Sequence, residues 1–430
     1  MDIRNEKWLV LGAGKSGISA ARFLRERGAV VGIYDDSMCE SIPEAIYVNE
    51  SQVKTEGFDY CVISPGVSIN HPIAMEFDGR IVSELGLGFS APHKKIVAIT
   101  GTNGKTTVTK MIGEAVGKNG VVCGNIGMPV TQVPTEIAKK IAVTEVSSFM
   151  MEVDAPTFKP DVSVILNITQ DHLERHGTME EYIRCKAKLT NAKVVILNHD
   201  CLNTRVLNDG RALYFSIKSK VRGIYLDGQN IVLNIKRRPK VIFNLDEFCE
   251  DRPHQISNIL ATILVCLKLG VSRKAILTAC MGGKENQHRM QNVGEVGNVS
   301  FINDSKATNI AACLAACTCF VGSVNLLVGG VIKGQDFSEF FMKLPKNVEH
   351  VFLFGEAADE IFAIAERTGF NNASKHVTMM EAVVAAYNHG FAQRVVLLSP
   401  ACSSFDEFDD YAERGRVFEE IVKEIANAKT

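Results

Sequence analysis

Long apolar runs are missing from this chain of 430 residues. None approaches the ~18 residues of a membrane-spanning helix. The first thirty residues hold no basic segment followed by an apolar run and a small-residue cleavage site. Neither a membrane span nor a secretory leader is expected, and the expected compartment is the cytoplasm. A surplus of charge is lacking too. Lys and Arg number 47 against 49 Asp and Glu, a net charge of −2, so the balance asks for no nucleic acid or other polyanion. The twelve cysteines are scattered without one C-x-x-C pair, which fits reduced, mostly buried thiols. Their one cluster, Cys313, Cys317 and Cys319 in NIAACLAACTCF, reads as a small-residue helix in a core. A metal site would need further ligands at a defined spacing. Internal repeats and low-complexity segments are absent as well.

What is present is a globular composition, 46% hydrophobic and 22% charged, in a chain too long for one ordinary core. Apolar runs alternate with helical patterns nearly throughout, which predicts α/β layers. KWLVLG reads as a buried strand, followed by an amphipathic helix KSGISAARFLRERG closed by Gly28 at its C-cap. Turn-rich SAPHKK precedes a new strand, KIVAIT, and turn-rich GGKENQHRM precedes a third α/β rhythm through VSFIND, VNLLVGG, HVFLFG and RVVLLSP. The expected domains are residues 1–92, 93–285 and 286–430. Between them, GIYLDG and NIVLNIK predict short strands joined by tight turns, and HQISNILATILVCLKLG a long helix.

Three motifs carry chemistry. VAITGTNGKTTVTKM is a phosphate loop without the leading glycine of the G-x-x-x-x-G-K-[ST] pattern, since Ile99 stands in that place. Gly101 and Gly104 let the backbone amides turn inward at a helix N-terminus; Lys105 can reach phosphate oxygens and Thr106 can ligate magnesium. Second, Gly12-Ala13-Gly14-Lys15-Ser16-Gly17 is a full G-x-G-x-x-G between a strand and a helix, with Asp35 eighteen residues after Gly17. It reports a diphosphate on a helix N-terminus, as in NAD sites, although other nucleotides carry diphosphates too. Ser64-Pro65-Gly66 adds a second lip. Third, Glu145 closes the strand in IAVTEVSS, VILNITQDHLERHG is read as a strand ending in Asp171-His172, and Lys186 follows on the helix EEYIRCKAKL. The order of phosphate loop, acidic strand end, Asp-His and helix lysine is more informative than any one member.

That order, with GTNGKTT, resembles the Mur ligases, ATP-dependent amide-forming enzymes of peptidoglycan precursor synthesis. The resemblance runs over essentially the whole chain: GAGKSG and SPG; GTNGKTT, GNIG, EVSS and DH; then HR, NDSKATN, GG followed by Lys333, LSPACSSFDEF and YAERG. It implies a Rossmann-like N-terminal domain for a UDP-linked substrate, a central P-loop ATPase-like domain, and a C-terminal Rossmann-like α/β domain for the amino acid. NDSKATN and LSPACSS narrow the implied substrates to UDP-N-acetylmuramoyl-L-alanine and D-glutamate. Gly14, Lys15, Ser16, Asp35, Ser64, Pro65, Gly66 and Asn125 would line the UDP-sugar site. ATP would be held by Gly101, Thr102, Asn103, Gly104, Lys105, Thr106, Thr107 and Asn258, with Arg289, Asp304 and Lys306 from the third domain. Two magnesium ions would be served by Thr106, Glu145, His172 and Lys186, the last as a carbamate, because an ammonium beside a divalent cation is electrostatically contradictory. Lys105, Glu145, His172 and Lys186 are thus the expected catalytic set, and Thr308, Lys333, Ser404, Phe405 and Tyr411 would hold D-glutamate. Gln170 beside Asp-His and Gln255 in HQISN depart from the family pattern.

The implied reaction makes an acyl phosphate from a substrate carboxylate and the γ-phosphoryl of ATP, after which the amine of D-glutamate displaces phosphate. A monomer is expected, with no nucleic-acid or membrane partner. Rival readings are another Mur-type or folylpolyglutamate-type ligase, an ATP-driven regulatory module, and an NAD-dependent oxidoreductase. The last leaves the second nucleotide loop and the whole C-terminal domain without a task.

Overall fold

The computed structural model describes the chain except for residues 1–2, 38–42, 44, 209, 236–237, 249–252, 282–287, 321, 391–393 and 429–430. The boundary expected at residue 285 lies outside the described residues. Three sheets form in sequence order, and the described chain divides into two compact units, Met1–Ile168 with Thr178–Gly282, and Thr169–Gly177 with Gly283–Thr430.

The first unit holds two sheets. A five-stranded parallel sheet has the order Ile46–Tyr47, Val30–Tyr34, Lys7–Leu11, Tyr60–Ile63, Arg80–Ser83. Its chain order reverses at Lys7–Leu11, so a crevice opens between the loops that follow Leu11 and Ile63. The adjoining nine-stranded sheet runs Lys240–Asn244, Asn230–Asn234, Gly223–Asp227, Leu213–Ser216, Val194–Asn198, Val162–Ile165, Lys95–Thr100, Ile141–Glu145, Gly120–Gly124. It is parallel except for the antiparallel meander of its last three strands in chain order, which are the short strands expected from GIYLDG and NIVLNIK.

Alternation along Lys95–Thr100 builds two cores. Val97 and Ile99 pack with Val108 and Ile112 of the helix Lys105–Val116 and with Ile259, Leu260, Ile263 and Leu264 of the helix Pro253–Leu269. Ile96 and Ala98 face the opposite layer, with Met150, Phe158 and Tyr182. A strand buried on both faces is apolar along its length, as Ile96, Val97, Ala98 and Ile99 are between Lys95 and the buried Thr100 at its end.

The second unit carries a six-stranded sheet, Gln291–Val296, Val299–Asn303, Arg394–Ala401, Ser323–Gly329, Val348–Phe354, Ala373–Lys375, antiparallel only at its first pair. Cys313 and Cys317 lie fully buried on the helix Ile310–Cys317, as the small-residue pattern predicts. The helix Lys15–Arg25 has Glu26 as its cap, and Gly28 at φ +84° closes it as expected, with Gly28 N donating to Arg25 O at 2.9 Å and Ala29 N to Leu24 O at 3.2 Å. One expectation needs correcting. The strand from Val162 stops at Ile165, freeing Asn167 for the phosphate loop, and Asp171-His172 instead introduces a short helix, Leu173–His176. Among the described residues no helix is long and apolar enough to cross a membrane.

Candidate active site

The glycine loop after Leu11 is built by three glycines with three tasks. Gly12 has φ +98°, which only glycine adopts freely. A Cβ at Gly17 would fall 1.8 Å from the Gly12 carbonyl oxygen, so close packing of helix on strand end excludes any side chain there. Nothing lies within 4 Å of a Cβ at Gly14, which leaves its backbone approachable. Asp35 ties the loop down: one carboxylate oxygen accepts from Ala13 N at 2.7 Å and the other from Ser37 N and Oγ at 3.0 and 2.7 Å. These donors hold its pKa below the ordinary carboxylate value. Ser64 Oγ donates to Gly12 O at 2.9 Å and joins the second lip to the first. All eight residues expected at the UDP-sugar site line one cleft of about 650 Å³, together with Ile126, Gly127 and Met150.

Asn125 connects this cleft to the next strand end. Its Nδ2 donates to Glu145 Oε1 at 2.8 Å. Glu145 is 1% exposed and its Oε2 accepts no hydrogen bond among the described residues. A buried carboxylate oxygen left in that state calls for a cation or a further donor, and a hard-cation ligand fits the donor chemistry.

The phosphate loop follows Thr100, with Gly101 at φ +156° and Gly104 at φ +86° as N-cap of the helix Lys105–Val116. Thr106 and Thr107 occupy the first turn of that helix. Asn103 and Asn167 bond reciprocally, Asn103 N to Asn167 Oδ1 at 2.8 Å and Asn167 Nδ2 to Asn103 O at 3.0 Å. Thr102 N donates to Asn167 O at 2.8 Å, and the Thr102 hydroxyl lies 3.1 Å from that of Tyr182. Asn258 stands over the turn: a Cβ at Gly104 would meet its Oδ1 at 2.5 Å. Its Nδ2 donates to Gln255 Oε1 at 3.2 Å, so the departure at Gln255 preserves an acceptor for Asn258.

Two lysines converge on one carbonyl. Lys105 Nζ donates to Gly101 O and Thr102 O, both at 2.8 Å, and Lys186 Nζ donates to the same Gly101 O at 3.0 Å. Lys186 is 1% exposed and its Nζ lies 4.6 Å from the centre of the Tyr182 ring.

His172, on the segment that belongs to the second unit, is a left-handed N-cap at φ +55° beside Asp171 and Glu174, at 3.7 and 3.5 Å. Asp171 also accepts from Asn309 Nδ2 at 3.3 Å, and Gln170 Nε2 donates to Gly334 O at 3.2 Å, next to Lys333. Asp304 accepts from Met290 N and Ser399 Oγ, so it anchors the turn that carries Arg289. Lys306 Nζ lies 5.2 Å from the Tyr411 ring centre.

The segments bearing Thr308, Lys333 and Ser404 emerge at the carboxyl ends of three neighbouring strands. They are tied by Ala401 N to Ala307 O and by reciprocal bonds between Val331 and Ser403. Ser404 is buried, whereas Phe405 is 71% exposed. Arg414 binds the ends together. Its guanidinium donates to Ser305 Oγ and O, Gly329 O, Cys402 O and Ser403 O, and burial lowers its pKa to about 10.

Sequence reasoning gave no role to Arg414, Asn167 or Tyr182. YAERG did carry a signal for the first, because an arginine inside an otherwise apolar helix face needs buried acceptors.

A glycine-built phosphate loop with a buried carboxylate at the neighbouring strand end defines a nucleotide-binding α/β protein. Three family descriptions match it: Mur ligase MurD-like, N-terminal domain over residues 6–82; Mur ligase middle domain over 99–266; and Mur ligase, glutamate ligase domain over 288–402. A UDP-N-acetylmuramoylalanine--D-glutamate ligase of Caldicellulosiruptor bescii is 34% identical over 99% of both chains, and one of Clostridioides difficile is 33% identical over 99% of this chain and 100% of its own. The chain belongs to the Mur ligase family. The fold is shared with the MurF ligase of Thermotoga maritima solved with ADP (TM-score 0.60, 17% identity, 100% and 97% covered). It is also shared with a pseudomurein peptide ligase type C of Methanothermus fervidus (TM-score 0.62, 18% identity, 98% and 100% covered). Family membership removes the nicotinamide oxidoreductase from the alternatives.

Proposed function

We propose that the protein is the ATP-dependent ligase that joins D-glutamate to UDP-N-acetylmuramoyl-L-alanine in peptidoglycan precursor synthesis. The observation that carries this is full-length similarity to relatives that bear that ligase name. A cleft of about 650 Å³ lined by two small-residue loops and a helix N-terminus suits a nucleoside diphosphate sugar.

The chemistry begins with a carboxylate, which has no leaving group and repels an incoming phosphoryl. ATP supplies the phosphoryl that turns the carboxylate into an acyl phosphate, and magnesium offsets its charge. On the protein side, Lys105 and the backbone amides after Gly101 hold the phosphates in line and oppose the negative charge that develops. Thr106, Glu145 and His172 would hold magnesium. Asn258, Arg289, Asp304 and Lys306 would enclose the nucleotide. Thr308, Lys333, Ser404, Phe405 and Tyr411 would hold D-glutamate, whose amine attacks the acyl carbon and expels phosphate.

Lys186 acts as a carbamate. With both lysine nitrogens on Gly101 O, two ammonium groups would sit within about 6 Å, unfavourable by about 3 kcal/mol at an effective dielectric of ~20. The neutral amine attacks carbon dioxide, a C–N bond forms, one C=O electron pair moves to oxygen, and the nitrogen passes one proton to water. The product is an anion whose remaining N–H still suits Gly101 O and whose oxygens suit magnesium.

The test is phosphate release across a panel of UDP-muramoyl precursors, each paired with L- and D-amino acids. Turnover is expected only with UDP-N-acetylmuramoyl-L-alanine and D-glutamate. Turnover with another pair would reassign the substrate, and release without any acceptor would favour a nucleotide-driven switch.

A further inference from the structure

We infer that Thr131 is a positioning residue that sets the geometry of the uridine-diphosphate cleft through a buried chain of side chains from Ser19 through Thr131 to Glu84. The inference rests on the assignment of that cleft to the UDP-linked substrate. Two of the segments lining the cleft are the first turn of the helix Lys15–Arg25 and the loop from Gly124 to Pro129. Behind the cleft, one helical turn after Lys15, Ser19 Oγ lies 2.7 Å from Thr131 Oγ1, and Thr131 is two residues past Pro129. Thr131 is bound in turn to Glu84, which opens the short helix after the strand Arg80–Ser83: Glu84 Oε1 accepts both Thr131 N and Thr131 Oγ1 at 2.8 Å.

Hydrogen-bond directions follow from this pattern. Glu84 Oε1 already accepts the Thr131 amide, so the Thr131 hydroxyl donates to it as well, and its lone pair is left for the Ser19 hydroxyl. Every link is buried: Ser19, Thr131 and Glu84 are 7%, 3% and 2% exposed. Burial pushes the Glu84 carboxyl above its ordinary value, while its bonds to Thr131 and Val130 N pull the other way. The backbone is in register for the same contact, since a Cβ at Gly88 would fall 2.5 Å from Val130 Cγ1. A side chain joined from outside the cleft to two of the segments that line it acts by preorganising those two segments.

The isosteric variant Thr131→Val removes the hydroxyl and leaves Ser19 and Glu84 each short of a partner; Ser19→Ala cuts only the link to the helix; Thr131→Ser keeps the hydroxyl. In the full-length enzyme, the Michaelis constant for UDP-N-acetylmuramoyl-L-alanine should rise about tenfold for Thr131→Val and less for Ser19→Ala. The constant for ATP should stay within twofold, and Thr131→Ser should restore the parental values. Calorimetric titration with uridine 5′-diphosphate should reproduce the split without turnover. If the parent binds the uridine compound and both Thr131→Val and Ser19→Ala bind it equally well, the positioning role is overturned and the cleft assignment stands. If both Michaelis constants rise together, the chain is merely structural and the inference fails. If the parent itself does not bind the uridine compound, the cleft assignment fails and takes the inference with it.

Discussion

The two glycine loops of the first unit are the same local device set to opposite electrostatic ends. Each follows a buried parallel strand and opens a helix, and each uses a positive-φ glycine to turn amides toward a common point. The first is held from behind by a carboxylate, Asp35, and leaves Gly14 open to a cleft. The second is crossed by two lysine side chains that share Gly101 O, and its turn glycine is crowded by Asn258. A loop that only binds a diphosphate needs amides, space and at most a cation at the rim, the place Lys15 takes at the first cleft. A loop at which a phosphoryl group moves needs positive charge that can follow the charge transfer, and therefore side chains rather than backbone alone.

The sharpest break of this comparison is at Lys105. Lys105→Ala should lower kcat on the order of 10³-fold while leaving uridine-compound binding at the first loop unchanged, as read by phosphate release and by calorimetry. A loss confined to the Michaelis constant for ATP would make Lys105 a ground-state phosphate anchor. Lys186→Ala should follow, with a loss of about 10²-fold or more, and formate or acetate should restore part of the activity because a small carboxylate can fill the place of the carbamate. Near-full activity of Lys186→Ala in carbon-dioxide-depleted buffer would refute the carbamate.

Much of this was legible in the residues. Period and punctuation located the expected strands, because a parallel strand covered on both faces must be apolar throughout and must end where glycine or a small polar residue lets the chain turn. The clustering of the eight residues expected at the first loop was legible as well, since most of that cleft is lined by loop backbone and small residues adjacent to strand ends. What stayed hidden depends on long-range approach. Asn167 lies 64 positions from Asn103, and Tyr182 lies 80 from Thr102. Arg414 bonds residues as far as 109 positions away. For Asn167 and Tyr182 nothing local distinguishes the side chain from a solvated one until the sheet order is known, whereas Arg414 at least sits on an apolar helix face that asks for buried acceptors. The reading of VILNITQDH as one strand failed for a related reason: Asn167 leaves the ladder to serve the loop, and tertiary bonds override local β-propensity.

Alanine at three glycines separates packing from ligand space. Gly17→Ala should destabilise the protein by roughly 1–3 kcal/mol or more, since its Cβ would meet backbone that cannot move aside. Gly104→Ala should cost about 1–2 kcal/mol for a left-handed φ, and more for the Cβ that would meet Asn258 Oδ1 at 2.5 Å. Gly14→Ala should melt like the parent and weaken uridine-compound binding. Thermal denaturation with calorimetry checks all three, and a Gly14→Ala variant less stable than Gly17→Ala would invert the roles assigned here. A ligand at a hundred times its dissociation constant adds about 2.7 kcal/mol, so the uridine compound should raise the melting temperature and NAD should not. A shift with NAD alone would return the first loop to the dinucleotide class.

The smallest expected effect lies at Asp35. Its folded-state pKa is held below the unfolded value by the Ala13 and Ser37 donors, so its contribution to stability is fully present above the unfolded value, near pH 4, and is lost as the pH falls through the folded value. The side chain is partly exposed, and solvent screening should keep the contribution below about 1 kcal/mol. Asp35→Asn retains one acceptor oxygen and turns the other end of the side chain into a donor that faces an N–H. The stability gap between parent and Asp35→Asn, measured by denaturant titration, should therefore be constant from pH 7 to pH 5 and should narrow below pH 4, where the parent carboxylate takes up its proton. A gap that widens on acidification would mean that the carboxylate is strained by its neighbours rather than held by them, and the first loop would then share the electrostatic tension of the second.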